Sequence, residues 1–117
     1  EELQFAALLA KHATGDPTVL PAGEALGLAT SAAADALRLP IGRIAPGRLA
    51  DIVLIDLAHH LMFPGHDLAA DVIYSANGRA VQSTICDGQV LMESGVVADE
   101  AEIRAEVMGR LGRLVGG

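Results

Sequence analysis

The sequence contains little aromatic material: it has no Trp, and aromatic residues make up 3% of its 117 positions. Hydrophobic residues nevertheless account for 51% of the chain. A core of this composition must be built mainly from Ala, Leu, Val and Ile side chains. A chain of this length is long enough for one modest domain with a small core.

Cysteine is also scarce, since Cys86 is the one cysteine in the sequence. An internal disulfide is therefore excluded, and such cysteine usage is typical of a reducing compartment. No apolar run approaches the length of a membrane span, and no basic segment precedes an apolar one near the first residue. These features predict a cytoplasmic protein with no membrane partner.

Positively charged residues are also scarce. The chain carries 8 Lys and Arg against 15 Asp and Glu, a formal net charge of -7, and the basic residues are scattered. Nucleic acids and anionic membrane surfaces are bound by clustered positive charge. The sequence therefore argues against nucleic-acid binding and predicts no nucleic-acid partner.

Two apolar helices are predicted at the beginning of the chain. Residues 1–13 combine acidic residues in the first turn with an interior rich in Ala and Leu. A second helix is predicted over residues 21–37, with Pro21 in its first turn. The apolar side chains of the first helix surround it, which is typical of a helix that is covered on most sides. Because the sequence also begins without Met, we expect it to be a piece of a longer polypeptide.

The stretch IGRIAPGRLADIVLID follows these helices and organises the rest of the chain. Pro46 and Gly47 predict a type II turn, because proline presets the first central φ and glycine accepts the positive second one. The IVLI run that comes next predicts a strand buried on both faces. Asp51 and Asp56 bracket this run, and we expect them to hydrogen-bond nearby backbone at its ends.

The next segment is predicted to be irregular. Residues 57–67 form a connection that leads to residues 68–74, which fit a short helix capped by Asp67 or, as an alternative, a strand. Asn77 and Gly78 then form the strongest short turn signal of the sequence.

A β-hairpin and a final helix complete the prediction. Strands are expected over residues 80–86 and 89–93, joined by a two-residue turn at Asp87-Gly88. Asp99 and Glu102 have the spacing of a capping box at the start of the last helix. An apolar stripe continues to Val115, and two glycines close the helix. The stripe and the closing glycines are Ile103, Val107, Leu111, Leu114, Gly116 and Gly117.

Histidines are the first candidates for chemistry. His59, His60 and His66 lie close together with Asp67, which suggests a zinc site as one hypothesis. Adjacent histidines on an extended chain point to opposite faces, and the spacing matches no closed zinc motif. His12 has no second histidine four residues later on its helix. We interpret these residues as solvated histidines and assign no metal ligand.

Cys86 and Asp51 are the remaining candidates. No basic residue or helix start lies near Cys86 to lower the pKa of its thiol, so a buried structural cysteine is predicted rather than a nucleophile. For Asp51 we favour structural hydrogen bonding at the start of a strand. The sequence thus assembles no active site, and we assign no catalytic residue.

Three segments of the sequence resemble a known enzyme superfamily. The pattern G-x-I-x-x-G-x-x-A-D-I-V-L-I-D resembles the segment in which amidohydrolase-superfamily enzymes leave their last barrel helix and re-enter a small β-sandwich. LQFAALLAKHATGDPTVLPAGEALGLATSAAADAL is similar to the last barrel helices of the group that contains methylthioadenosine/S-adenosylhomocysteine deaminases and atrazine-type chlorohydrolases. HHLMFPGHDLAADVIYSANGRAVQSTICDGQVLMESGVV resembles the same group's return to the sandwich and its hairpin.

This resemblance implies an α+β fragment. Residues 1–40 would be the terminal helices of a (β/α)8 barrel, residues 41–98 the C-terminal part of the β-sandwich with its hairpin, and residues 99–117 a C-terminal helix. The positions that match the family motif are structural ones. They are Gly42, Pro46, Gly47, Ala50, Asp51, Gly78 and Gly88.

The resemblance also implies a function for the parent protein. It would be a metal-dependent hydrolase that acts on a C–N or C–Cl bond of a small heterocyclic substrate, as a deaminase or a chlorohydrolase. In that superfamily zinc or iron is bound by a His-x-His pair, two later histidines and an aspartate. None of these can be placed here, so we expect this chain to bind no metal and to be inactive alone.

Two alternatives and two partners remain open at this point. The chain could be a stand-alone, non-catalytic β-sandwich module for binding or interaction, or a small metalloenzyme that uses its histidines. As the C-terminal part of a larger enzyme, its partner would be the missing N-terminal part of the same polypeptide. Open sheet edges and apolar helices also predict that the isolated chain self-associates.

Overall fold

The computed structural model describes residues 1–115, with side chains as far as Leu114. Helices come first, a four-stranded antiparallel sheet follows, and a long helix ends the described chain. The elements in chain order are α1 (Glu2–Thr14), α2 (Ala22–Leu28), α3 (Ser31–Leu37), β1 (Ile52–Ile55), α4 (Leu68–Ala70), β2 (Val81–Cys86), β3 (Gln89–Glu93), β4 (Val96–Val97) and α5 (Glu100–Val115).

The first helix agrees with its prediction. Helix α1 has Glu2 in its first turn and ends at Gly15, which adopts a left-handed conformation with φ 68. Glycine takes this conformation at a helix C-terminus without the steric cost that a Cβ would add.

The single helix predicted over residues 21–37 is wrong, because the chain forms α2 and α3 with a break between them. Thr30 lies at the break with φ -120 and ψ -96, outside the helical region. Its hydroxyl donates a hydrogen bond to the Leu26 carbonyl at 2.9 Å. Such bonding back to the preceding turn competes with helix continuation, and threonine is also a weak helix former.

The four strands form an antiparallel meander in the order β1-β2-β3-β4. Strand β1 pairs with β2, so that Ile52 lies opposite Ile85. The predicted hairpin between β2 and β3 is confirmed, and its turn residues Asp87 and Gly88 have φ 47 and 77. Two positive φ values are the signature of a type I′ turn, whose twist matches that of the strands.

Strand β4 was missed by the sequence analysis. It contains two residues and follows a second tight turn, in which Ser94 and Gly95 have φ 51 and 77. The signal available in the sequence was a Ser-Gly pair followed by two valines. Two residues are too few for an alternation pattern to be read.

The expectation that β1 is buried on both faces is also wrong for this chain. Val53 is 53% exposed and Leu54 is 46% exposed. The buried cluster lies instead among the helices, where Ala7, Ala22, Ala25 and Ile73 pack together. Alanine is prominent in this core, as the composition indicated, but the sheet contributes no side chain to the cluster.

The connection between β1 and β2 contains four short helical segments. His60–Met62 is a 3₁₀ turn that buries Met62. The helical alternative for the next segment is confirmed, because the Asp67 carboxylate accepts a hydrogen bond from the Ala70 amide at 3.0 Å and caps α4. Helix α4 continues as a π-helical turn over Asp71–Ser75.

Two predicted local motifs take a different form. Asn77 accepts a hydrogen bond from the Arg79 amide at 2.9 Å and opens a 3₁₀ turn over Gly78–Ala80, so the Asn-Gly pair does not form a hairpin. At the start of α5, Asp99 has φ 60, whereas an N-cap residue is normally extended. The capping box is therefore not adopted. The predicted closure by Gly116 and Gly117 lies outside the described residues.

Many large apolar side chains of the described chain are exposed. Phe5 and Leu9 of α1 are 59% and 62% exposed. Helix α5 likewise leaves Ile103 and Leu114 of its apolar stripe exposed. No described helix combines the length and hydropathy that crossing a membrane would require.

Candidate functional site at the helix–sheet junction

The matched motif positions lie mostly in one region, the helix–sheet junction, which we define as residues 42–51 with the hairpin turn at 87–88. The junction begins at Gly42, which follows α3 after the short segment 38–41. This residue has φ 76, and a Cβ added here would lie 2.5 Å from the Thr30 carbonyl oxygen and 2.8 Å from the Ala34 Cβ. Glycine is therefore required at position 42 by backbone conformation and by space.

The predicted type II turn is present in the middle of the junction. The Arg48 amide donates to the Ala45 carbonyl at 3.2 Å, and Gly47 has φ 82. This φ is the value that the third position of a type II turn requires. A second hydrogen bond, from the Leu49 amide to the Pro40 carbonyl at 2.9 Å, closes the loop around the turn.

Two hydrogen bonds connect the end of the junction to the hairpin. The Asp87 amide donates to Asp51 Oδ1 at 2.8 Å. The next amide, that of Gly88, donates to the Ala50 carbonyl at 3.1 Å. Asp51 thus bonds to backbone, but the partner is 36 residues away and not the neighbouring chain that the sequence suggested. Its carboxylate holds the start of β1 against the turn between β2 and β3.

Cys86 lies beside this carboxylate. The cysteine is exposed, so the prediction of a buried cysteine is wrong. The negative charge of Asp51 raises the pKa of the Cys86 thiol above its usual range, and the charge of Asp87 acts in the same direction. The protonated thiol is therefore favoured, which is the opposite of what a nucleophilic cysteine requires.

An ion pair that sequence reasoning missed joins α3 to the junction. The Arg43 guanidinium donates to both carboxylate oxygens of Asp35, at 2.9 and 2.7 Å. These hydrogen bonds lower the pKa of Asp35 and raise that of Arg43. The two residues are eight positions apart across a helix end and a turn, so no sequence periodicity indicated the pair. Since both side chains are exposed, its contribution to stability is small.

An open cleft of about 500 Å³ lies between the sheet and α3 with the break that precedes it. Its walls are largely apolar, with Leu37, Ile52 and Leu91 among the lining residues. The ionisable groups that reach it are Asp51 and Cys86. Asp51 is already engaged with backbone and the thiol is held protonated, so the cleft presents no pair of groups suited to acid–base catalysis.

The histidines do not converge on a metal site. His59 Nδ1 accepts a hydrogen bond from the Leu61 amide at 3.3 Å, and the His59 and His60 rings stack with centroids 4.4 Å apart. His60, His66 and His12 are exposed. Across residues 1–115 there is no group of three His, Cys, Asp or Glu side chains that could hold a metal ion. The residues present therefore do not fit a metal.

The two remaining motif glycines, Gly78 and Gly88, differ in whether the structure requires glycine at their position. Gly88 has φ 77 and occupies the second position of the hairpin turn. Gly78 lies in the 3₁₀ turn, and a Cβ added to it would meet no atom within 4 Å. The structure gives no steric reason for glycine at position 78.

The amidohydrolase family model matches residues 1–91. The chain belongs to the amidohydrolase family. The resemblance noted in the sequence is thereby confirmed, and the matched region includes the whole helix–sheet junction.

Two deaminases are among the curated relatives of this amidohydrolase chain. It is 42% identical over 115 residues to a 5'-deoxyadenosine deaminase of Methanoregula boonei, a match that covers 98% of this chain and 26% of the relative. It is 43% identical to a 5-methylthioadenosine/S-adenosylhomocysteine deaminase of Moorella thermoacetica, with 94% of this chain and 27% of the relative covered. The chain spans about a quarter of the length of these relatives.

Solved amidohydrolase structures have the same local fold. An adenosine deaminase from Xanthomonas campestris with bound zinc matches 96% of this chain and 26% of its own, with a TM-score of 0.85 and 31% identity. The atrazine chlorohydrolase of Arthrobacter aurescens, complexed with zinc, matches 92% of this chain and 25% of its own, with a TM-score of 0.74 and 31% identity.

Proposed function

We propose that these residues are the C-terminal part of a metal-dependent amidohydrolase that hydrolyses a C–N bond of a small heterocyclic substrate. The observation that carries this proposal is the 42% identity to a 5'-deoxyadenosine deaminase over 98% of the chain. Deamination is favoured over dechlorination because the two curated relatives reported above are deaminases at 42–43% identity. Among the solved structures, the adenosine deaminase and the chlorohydrolase are equally identical at 31%, but the deaminase has the higher TM-score, 0.85 against 0.74.

In this proposal the chain has a structural role in the enzyme. Residues 1–40 would be the last helices of the catalytic barrel, and residues 41–98 part of the small β-sandwich. The exposed apolar side chains of α1, such as Phe5 and Leu9, support this role, because a barrel helix is covered by neighbouring strands and helices. The helix–sheet junction would fix the orientation of the barrel end relative to the sandwich.

The metal would be held by the remaining part of the polypeptide. The solved relatives contain bound zinc, which supports zinc as the metal of the parent enzyme. Iron is the second possibility that the resemblance implies. The histidines of this chain do not fit a metal site, so we assign them no step of the reaction. The rest of the enzyme would likewise supply the substrate-binding groups.

The test is an assay of the full-length polypeptide that contains these residues. We expect it to release ammonia from 5'-deoxyadenosine, 5-methylthioadenosine or S-adenosylhomocysteine, and to lose this activity when a chelator removes its metal. The 117-residue chain is the matched control and should release none. Chloride release from atrazine without deamination would favour a chlorohydrolase, and turnover by the 117-residue chain itself would contradict the proposal.

A further inference from the structure

Helix α5 is exposed on all sides in the described part of the chain. Every side chain from Ala101 to Leu114 is exposed, and among the apolar ones Ile103 and Leu111 are 54% and 45% exposed. A helix of 16 residues gains little stability in water by itself, because helices in proteins are stabilised mainly by the packing of an apolar face. The apolar face of α5 therefore indicates an interaction surface.

A row of charged residues runs beside the apolar row of this helix. Each member of the charged row directly precedes a member of the apolar row, so the two rows follow the same side of the helix. In chain order the charged row contains two acidic residues and then two basic ones. The apolar row is Ile103, Val107, Leu111 and Leu114, and the charged row is Glu102, Glu106, Arg110 and Arg113.

The first three residues of the apolar row match themselves when the helix is reversed. Ile103 and Leu111 are each four residues from Val107. In an antiparallel pair of α5 helices centred on Val107, Ile103 of one helix lies opposite Leu111 of the other, and the two Val107 residues meet on the two-fold axis. An interface between two identical chains requires a self-complementary surface of this kind.

The charged row matches itself in the same register. A two-fold axis perpendicular to the helices brings the same side of both together, so that one charged row faces the other. Reversal about Val107 then places Glu102 of one helix beside Arg113 of the other, and Glu106 beside Arg110. Opposite charges meet along the row, which favours the antiparallel pair. In a parallel pair the two charged rows would lie on opposite sides and could not meet.

The helix itself accounts for part of this charge pattern. Acidic residues near the start and basic residues near the end stabilise any helix through its dipole. Within the chain, Glu106 also pairs with Arg110. Neither effect requires the charges to stand beside the apolar row, or the apolar row to be symmetric about Val107. These two features point to a second copy of the same helix.

We propose that α5 pairs antiparallel with α5 of a second copy of the parent polypeptide and forms a symmetric dimer contact. This inference goes beyond the proposed function, since it requires the full-length polypeptide but no particular reaction. It is also separate from the exposed side chains of α1, for which we propose cover by the remaining part of the same polypeptide. A helix about 24 Å long makes a small interface, so the association should depend on concentration.

Cysteine cross-linking of the full-length polypeptide tests the contact directly. In a Cys86→Ser background, Val107→Cys brings two thiols together at the two-fold axis, so a mild oxidant should produce a disulfide-linked dimer. Ala105→Cys is the matched control, because position 105 lies on the opposite side of the same exposed helix and should give none. The unsubstituted background controls for other cysteines of the polypeptide.

Two outcomes of the cross-linking would overturn the proposal. The first is equal cross-linking of the two variants, or no dimer from Val107→Cys. The second is a monomeric protein in which the thiol at position 107 is protected from alkylation, since the polypeptide's own residues would then cover α5.

Charge exchange provides the second test. Glu102→Arg and Arg113→Glu should each raise the dissociation constant of the dimer several-fold, because like charges would meet across the pair. The double variant should restore the dimer, because the two positions then exchange their charges. Within one helix these positions are eleven residues, or about 16 Å, apart and cannot meet, so the restoration would not arise inside one chain.

Sedimentation velocity over a range of concentrations measures these dissociation constants. A double variant that dimerises more weakly than either single variant would overturn the proposal. Ammonia release is assayed separately on the same preparations, so a failed interface and a failed enzyme assignment are distinguishable.

Discussion

The Asp51 carboxylate accepts a hydrogen bond from the Asp87 amide at 2.8 Å and so connects two parts of the chain that are 36 residues apart. The bond lies beside that of Gly88 to the Ala50 carbonyl at 3.1 Å. Together these bonds hold the turn of the β2–β3 hairpin against the start of β1. The aspartate of the family motif therefore has a structural role in this chain, as a connector between β1 and the hairpin turn.

Removal of this connector should destabilise the chain. We expect Asp51→Ala to lower the free energy of unfolding by about 1 kcal/mol, because a typical net hydrogen bond contributes about that amount. Asp51→Asn keeps an acceptor oxygen and should lose less. Urea denaturation of the three proteins measures the difference, and equal midpoints for Asp51→Ala and the unmodified chain would contradict the role.

The same carboxylate should control the thiol of Cys86. The negative charge of Asp51 disfavours the thiolate and raises the pKa of Cys86, so Asp51→Asn should lower that pKa towards its ordinary value. At a fixed pH below this pKa, the variant should then react faster with iodoacetamide, because the thiolate is the reactive form. The pH profile of the alkylation rate measures the shift. Asp99→Asn is the control, and a profile for Asp51→Asn that coincides with the control would show that Asp51 has no such influence.

Gly42 and Gly47 distinguish two structural reasons for a glycine, a positive φ and a lack of space for a Cβ. Both have positive φ, 76 and 82, but a Cβ would collide with backbone only at Gly42. Gly47→Ala should cost about 1 kcal/mol from the left-handed conformation alone. Gly42→Ala should cost clearly more, about 3 kcal/mol, since the overlap with the Thr30 carbonyl adds to a similar strain. Chemical denaturation of both variants measures this order, and a reversed order would refute the steric account.

Gly78→Ala is the control for these two variants. Position 78 has neither a positive φ nor an atom within 4 Å of an added Cβ. Its substitution should leave the free energy of unfolding within about 0.5 kcal/mol of the unmodified chain, as surface substitutions usually do.

The isolated 117-residue chain should self-associate through its exposed apolar side chains. Phe5 and Leu9 are 59% and 62% exposed on α1, and contiguous exposed apolar surface of this kind promotes association. Light scattering at micromolar concentration should show species larger than the monomer. The double substitution Phe5→Glu and Leu9→Glu should shift the distribution towards monomer, whereas Glu24→Gln should not. A monodisperse monomer of the unmodified chain would exclude this behaviour.

The sequence by itself determined the elements whose signals are local. Helix α1, the type II turn at Pro46-Gly47 and the hairpin at Asp87-Gly88 each depend on a few neighbouring residues. Their φ and ψ preferences and hydrogen bonds are set within that short span, so they can be read without knowledge of the rest of the chain. The family resemblance was carried by these same turn glycines and by the strand between them.

Only the tertiary structure decided which distant groups meet and which side chains are covered. The sequence did not predict the break at Thr30, and it predicted a buried Cys86, which is exposed. It predicted that Asp51 bonds to backbone, but not that the partner lies 36 residues away. Burial and long-range hydrogen bonds depend on how separate elements pack, and no periodicity within one element specifies its neighbours. Val53 and Leu54 have the sequence of a buried strand but are exposed in this chain. A hydrophobic side chain favours burial, but its sequence does not specify which surface buries it.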